Sequence, residues 1–354
     1  MYFRTEGRSP GLEQLVWSLG KEGGARVSLS QELGSRHRFY KETGKAEWLI
    51  EIPKPEADTD ETWGRIVDLS KMMRLPVKVF GGFTNTLISQ QKFKGILVVH
   101  HFPRGKGGIT YNRRKRTITA SGAVPLTKVV NFACDRGLDL SYLAGIPGTL
   151  GGATVGNSGR SSTGENIGDD INSVVTYNLM SKEKAVFNLK KTGGFFRQRG
   201  SFLADMNYPT TKLAVRSVTL APRFIGKKAK EKLAERKEER KFKNRGARFS
   251  AGSFWINKLE GLPEGGLTRR YIRRLIEERV RLNEPYIEYS KFYQFLKIGS
   301  GWGRKPTDVD VAAFLERTIK ALNHRFGFKP RSEVTILGPN GALSVEEYIN
   351  ASIR

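Results

Sequence analysis

The sequence predicts a mixed protein, α/β or α+β in class, and three observations carry the prediction. Short β-branched or aromatic runs alternate with stretches whose apolar residues recur at helical spacing. Glycine is abundant, with 39 residues, which points to many tight turns and close backbone approaches. The length of 354 residues suits two or three domains, and 38% apolar with 10% aromatic residues is too rich for a disordered chain.

The elements follow in order. Residues 1–35 are polar and Gly-rich with no clear period. Trp48 to Ile52 reads as a strand and Thr62 to Met73 as a helix, with Trp63, Ile66, Val67, Leu69 and Met72-Met73 at helical spacing. Leu75 to Phe80 is a strand that runs into Gly81-Gly82, and Ile96 to Val99 is another. Ile109–Tyr111 and Thr117–Ala120 pair around the basic turn Asn112-Arg113-Arg114-Lys115. A helix spans Leu126 to Asp135, and a Gly-rich loop covers 145–159. Strands follow at Ser173–Leu179, Lys184–Asn188 and Leu213–Leu220. Helices are expected at about 227–243, Thr268–Arg279 and Val309–Phe326, and a strand at Glu333–Leu337. The composition shift near Pro222 is the expected domain boundary.

Lys and Arg number 61 against 35 Asp and Glu, a net charge of +26. Such a charge attracts phosphates of any sequence, yet no helix-turn-helix, zinc-finger or RNP motif is legible, so nucleic acid is not the expected partner. The densest basic stretch, Arg223 to Arg248, carries Glu231, Glu235 and Glu239 at four-residue intervals and reads as a solvated connecting helix; a polyanion-binding surface is the alternative. One cysteine, Cys134, excludes an intramolecular disulfide and any Cys-rich metal site. The four histidines show no ligand spacing, so no metal is expected. No apolar run reaches the roughly 20 residues of a membrane span. The start, MYFRTEGRSPGLEQ, lacks a signal-peptide core. A soluble, cytoplasmic protein without a membrane partner is expected.

Two glycine-rich loops carry the chemistry. Gly81-Gly82-Phe83-Thr84-Asn85-Thr86 follows a strand and suits a pyrophosphate held by main-chain amides. It is neither a Walker A sequence nor a three-glycine dinucleotide fingerprint. Gly145-Ile146-Pro147-Gly148-Thr149-Leu150-Gly151-Gly152-Ala153, continuing to Asn157-Ser158-Gly159, has six glycines in fifteen residues. That is the pattern of a backbone lying against a flat or charged ligand. Ile146, Pro147, Leu150 and Val155 are too stiff or apolar for a flexible linker.

The second loop resembles the Gly-Ile-Pro-Gly-Thr-x-Gly-Gly-Ala flavin loop of the UDP-N-acetylenolpyruvoylglucosamine reductase (UDP-N-acetylmuramate dehydrogenase) family, and residues 81–87 are similar to that family's first flavin loop. Thr43-Gly44-Lys45-Ala46 occupies the place of a Gly-Gly-x-Ala motif, and Ser250-Ala251-Gly252-Ser253 that of the family's Ser-Ala-Gly-Ser segment. Phe326-Gly327-Phe328 to Ser332-Glu333-Val334 stands for its C-terminal Phe-Gly…Glu-Val segment. The resemblance covers about 35 to 340.

The resemblance implies an α+β fold: a two-part FAD-binding domain of the vanillyl-alcohol-oxidase/reductase type plus a C-terminal α+β substrate-binding domain. Its parts would be an N-terminal extension (1–35), flavin subdomains at 36–100 and 101–222, and a substrate domain at 223–354. It implies non-covalent FAD on Gly81, Gly82, Thr84, Asn85, Thr86, Gly145, Ile146, Pro147, Gly148, Thr149, Gly151, Gly152, Ala153 and Asn157. NADPH is the implied co-substrate, and Asn257 would touch a UDP-sugar substrate. Hydride would pass from NADPH through the flavin to the enolpyruvyl ether of UDP-N-acetylglucosamine. Ser253 is the implied proton donor, and a catalytic arginine falls on Arg199 or Arg197, beside the developing enolate. Glu333 would hydrogen-bond the enolate or orient the arginine.

The departures are Phe83 for a glycine, Thr43 for a glycine, Ile256 for a lysine, Ser290-Lys291-Phe292-Tyr293 for a histidine-bearing segment, and Arg160-Ser161-Ser162 for an Ala-Tyr-Gly turn. They point at the substrate side more than at the flavin side. An FAD oxidase or dehydrogenase with another substrate, and a polyanion-binding protein on a degenerate flavin scaffold, are the alternatives.

Overall fold

The computed structural model describes residues 10–32, 44–102, 108–160, 164–189, 213–243, 250–253, 287–289, 295–298, 306–326, 332 and 334–353. In chain order the elements are α1 (Pro10–Lys21), β1 (Arg26–Glu32), β2 (Lys45–Ile52), α2 (Asp60–Met73), β3 (Val77–Phe80), β4 (Thr86–Ile88), β5 (Phe93–His100), β6 (Ile109–Asn112), β7 (Thr117–Ser121), α3 (Leu126–Cys134) and α4 (Leu150–Val155). Then come β8 (Ile171–Asn178), β9 (Lys184–Asn188), β10 (Leu213–Leu220), α5 (Lys228–Lys243), β11 (Ser250–Ser253), β12 (Ile287–Tyr289), β13 (Phe295–Ile298), α6 (Asp308–Phe326), β14 (Thr335–Gly338), β15 (Gly341–Leu343) and α7 (Val345–Ile353).

The chain divides into two compact units. The first holds Met1–Gln31, Ala46–Gly82 and Lys94–Arg240; the second holds Glu32–Lys45, Phe83–Phe93 and Lys241–Arg354. The first unit therefore extends beyond Pro222 and takes in most of the charged helix. Residues 10–32 lie chiefly in it too, with Leu12 and Leu19 buried in its core.

Two sheets build the first unit. One has the order β1-β2-β5-β3, with β3 and β5 parallel from Val77↔Ile96 to Phe80↔Val99. The other, β9-β8-β10-β7-β6, is antiparallel throughout. Parallel strands need a crossover, and a long connection runs from β3 to β5. Alternation along β7 buries Ile118 and Ala120 and turns Thr117 and Thr119 outward. One apolar core contains Trp48, Trp63, Ile96, Val98, Leu126, Val129, Leu150, Val174 and Val218 from both sheets and α2–α4. Burying such large side chains contributes roughly 1.5–3 kcal/mol each before entropy opposes it.

A polar network joins the two sheets across that core. The Asp58 carboxylate, in the loop before α2, accepts from Trp63 Nε1 at 2.7 Å and Ser121 Oγ at 3.3 Å. It also pairs with His100 Nε2 at 3.0 Å and Arg216 Nε at 2.7 Å. Arg216 reaches on to Asp60 at 2.9 Å.

In the second unit β15-β14-β4 form one small sheet and β11-β13-β12 another. Leu87, Ile287, Phe314, Leu315, Ile336 and Tyr348 form a single core there. Asp308 fixes its interior, accepting from Ser89 Oγ at 2.6 Å, Gln90 N at 2.9 Å and Tyr348 Oη at 3.1 Å. The expected strand at Glu333–Leu337 is observed as Thr335–Gly338. The expected helix at Thr268–Arg279 lies outside the described residues. Among the described residues, no helix is long and apolar enough to cross a membrane.

Candidate cofactor site

The site grows from the end of β3 and the start of α4, both in the first unit. The chain leaves β3 at Gly81-Gly82 and passes directly beneath the second loop. A Cβ built on Gly81 would stand 2.2 Å from Thr149 Oγ1, a distance no side chain tolerates. Only glycine permits this approach, and it brings together the two glycine loops singled out in the sequence. Thr149 itself is buried, and its hydroxyl caps α4 by accepting from Gly152 N at 3.2 Å.

The second loop is held from behind. Leu150 N donates to Val124 O at 2.9 Å, Gly151 N to Gly122 O at 2.8 Å, and Leu126 N to Gly148 O at 2.9 Å. Gly122 packs so closely that a Cβ there would lie 2.3 Å from Val215 O. The amides of Leu150, Gly151 and Gly152 are thus consumed inside the protein. Gly145 and Gly148 take φ of 68° and 106°, and among the described residues their amides, with those of Gly81, Gly82 and Thr149, have no acceptor. A backbone shaped by positive φ and presenting unpaired N–H groups suits a phosphate-bearing or flat ligand, so the residues present fit a dinucleotide.

Neighbouring groups tune the surroundings. Tyr142, which leads into the loop, donates to Asp170 Oδ2 at 2.7 Å. Burial and the nearby Asp169, Asp139 and Glu165 push the Asp170 carboxyl up to about 6, against the pull of Tyr142. Lys78 lies buried in β3, and burial lowers its ammonium to about 8.

The sequence-predicted residues divide as follows. Gly81, Gly82, Gly145, Ile146, Pro147, Gly148, Thr149, Gly151, Gly152 and Ala153 lie in the first unit on the paired loops. Asn157 is buried at φ 45° and accepts from Gly168 N at 3.0 Å, so it fastens the exit of α4. Thr84, Asn85 and Thr86 belong to the second unit. There Thr86 pairs in parallel with Thr335, and Thr335 N donates to Asn85 O at 3.1 Å. Ser253 ends β11, opposite Phe295 of β13 in the same unit. Glu333, Arg197, Arg199, Asn257, Ile256, Thr43 and residues 290–293 lie outside the described residues.

The sequence reading passed over Gly122 and Arg240. Gly122 gives no signal beyond being a glycine after a strand. Arg240 does give one: Ala229 and Leu233 are the buried positions of α5, and Arg236 and Arg240 continue their stripe at intervals of three and four residues. The helix is docked, not simply solvated. Lys230 pairs with Asp135 at 3.1 Å, Lys232 with Asp139 at 3.0 Å, and Lys237 Nζ donates to Asn131 at 2.9 Å.

Comparison with known proteins bears on the domain and the fold. Residues 56–178 match the model of the FAD binding domain family, FAD_binding_4. A UDP-N-acetylenolpyruvoylglucosamine reductase of Desulforamulus reducens is 26% identical over 306 residues, 86% of this chain and 91% of that protein. One from Heliobacterium modesticaldum is 26% identical over 322 residues, 88% of this chain and 91% of its own length. The crystal structure of a UDP-N-acetylenolpyruvylglucosamine reductase from Thermus caldophilus superposes with a TM-score of 0.60 at 20% identity, covering 88% of this chain and 98% of that one, and shows a common fold. With the glycine loops in place and the match running nearly end to end, the chain is similar over most of its length to the UDP-N-acetylenolpyruvoylglucosamine reductases and carries an FAD-binding domain at residues 56–178.

Proposed function

We propose that the chain, an FAD-dependent oxidoreductase of this family, reduces UDP-N-acetylenolpyruvoylglucosamine to UDP-N-acetylmuramate at the expense of NADPH, as a cytoplasmic step of peptidoglycan precursor synthesis. The observation that carries the reading is the close approach of Gly81 to Thr149, which joins two loops far apart in sequence into one glycine-lined cradle. In this reading residues 36–100 and 101–222 hold the cofactor and 223–354 hold the UDP-sugar, with Asn257 on the nucleotide sugar.

FAD, when bound, supplies hydride acceptance and delivery. The remaining chemistry belongs to the chain. Reduction at the vinyl carbon farther from the ether oxygen leaves charge on its neighbour, delocalised into the carboxylate. Arg199 or Arg197 stabilises that charge, and Glu333 hydrogen-bonds the enolate or orients the arginine. Ser253 Oγ then gives its proton to the carbon and completes the lactyl ether. Support comes from the parallel pairing of Thr86 with Thr335, two residues beyond Glu333, which aligns the C-terminal segment with the first loop's end.

The purified protein should absorb in the flavin bands and oxidise NADPH only when the enolpyruvyl UDP-sugar is present. Oxidation with oxygen alone would point to an oxidase with another substrate, and a protein that takes up no FAD would end the reading. Ser253→Ala should leave flavin reduction by NADPH intact and slow flavin reoxidation by substrate about 10²–10⁴-fold. Equal slowing of both half-reactions would remove Ser253 from the proton-donor role.

A further inference from the structure

The last turn of α5 within the first unit lies on the second glycine loop. A Cβ built on Gly145 would stand 2.8 Å from Arg240 Cδ, so the arginine stem lies directly against the loop at Gly145. Arg240 Nε is buried and has no hydrogen-bond partner. Among the described residues no carboxylate pairs with this side chain.

Among the described residues its surroundings do not neutralise it. Arg160 pairs with Glu239, and Arg236 pairs with the same carboxylate at 3.3 Å. Arg160 and Arg236 therefore share Glu239. Burial first, and then repulsion from Arg160, lower the Arg240 pKa. A half-buried guanidinium whose Nε is desolvated without a partner, and which has no counter-charge among the described residues, is costly in a folded protein unless something outside the chain completes it. The neighbouring amides of Gly145 and Gly148 also lack acceptors. Guanidinium fork and free amides together call for a multi-oxygen anion, and phosphate matches both.

We propose that Arg240 is a phosphate-binding residue, taking a diphosphate oxygen of a nucleotide held over Gly145 and Gly148. The inference rests on the flavoenzyme reading above and extends it to a residue outside both glycine loops. The diphosphate belongs either to FAD or to the second nucleotide, NADPH or the UDP-sugar, and binding measurements separate these sources.

Protein stripped of flavin is titrated with FAD and with riboflavin, which lacks phosphate, by flavin fluorescence. Protein loaded with FAD is titrated with UDP and with NADP⁺. Arg240→Met should weaken one phosphate-bearing ligand about 10- to 100-fold and leave riboflavin unchanged. Loss for FAD assigns the cofactor's diphosphate; loss for UDP or NADP⁺ with FAD unchanged assigns the second nucleotide. Arg240→Lys, which keeps the charge without the fork, should retain part of the affinity and a wild-type melting temperature. This variant decides the matter if the methionine protein folds poorly. Equal affinities for all four ligands, or riboflavin weakened as much as FAD, would overturn the proposal. Wild-type protein that takes up no FAD would instead sink the flavoenzyme reading, and this one with it.

Discussion

At the scale of single residues, the departures from the resembled flavin-loop pattern differ in their consequences. Phe83 stands where a glycine is usual, and its φ is 55°, in the left-handed region. The backbone has kept the shape a glycine would give it, although the side chain there is large and buried. A non-glycine residue in that region costs about 1–2 kcal/mol; packing of the ring offsets it. Phe83→Ala should lose about 3–5 kcal/mol of stability and keep the strain. Phe83→Gly loses the same ring but sheds the strain. The glycine variant should therefore unfold at or above the urea midpoint of the alanine variant, reversing their ordinary order. A glycine variant weaker than alanine by the usual ~1 kcal/mol would show that the loop is not strained.

At the scale of elements, α2 shows how local chemistry sets the frame for the first loop. Thr59 caps its start, accepting from Thr62 N at 3.1 Å, and Arg74 ends it at φ 53°. Arg74 is exposed, and among the described residues its side chain has no hydrogen bond or ion pair, so Arg74→Gly should raise stability by about 0.5–1 kcal/mol. Thermal melts of the two proteins check this, and a lowered midpoint would count against it. Elements with a clean period, such as α2, α3 and β8–β10, were legible in the sequence for the same reason that they pack. α1 carried a readable stripe in Leu12, Leu15, Val16 and Leu19 that the surrounding glycines obscured. α7 opens on a capping box: Ser344 N donates to Glu347 at 2.7 Å and Glu347 N to Ser344 Oγ at 3.1 Å. That Ser-x-x-Glu signature also stood in the sequence unread. α4 was hidden because Gly151 and Gly152 are poor helix formers, and its stability comes from Thr149 and the docking of Gly151 on Gly122. The pairing of β4 with β14 joins residues about 250 apart, and no local pattern announces it. Of the site, the glycine loops were legible because their composition has few other uses, whereas Arg240 was masked by eleven basic neighbours in the same stretch.

At the scale of the whole molecule, the charge of +26 places unusual weight on the few carboxylates that are buried. Asp58 is the chief of these in the first unit, since the loop before α2, β5, β7 and β10 all meet on its two oxygens. Burial alone would raise its carboxyl. His100, by charge and hydrogen bond, then Arg216 and Trp63, outweigh burial and lower it from 3.8 to about 2. The unfolded chain therefore takes up this proton at a higher pH than the folded one. The stabilisation is complete above about pH 5 and disappears as pH falls through about 4 towards 2. A shift of this size is worth about 2 kcal/mol. Asp58→Asn should accordingly cost at least that much at neutral pH, where it also leaves Arg216 facing an amide. The difference between the two proteins should shrink by about 2 kcal/mol between pH 6 and pH 2. Urea unfolding at a series of pH values measures it. A difference that stays constant with pH would mean that Asp58 serves the junction of the sheets by shape alone. If it shrinks as expected, the joint between the two sheets is electrostatic, and acid should loosen the Gly81–Thr149 approach together with flavin retention before either sheet is lost.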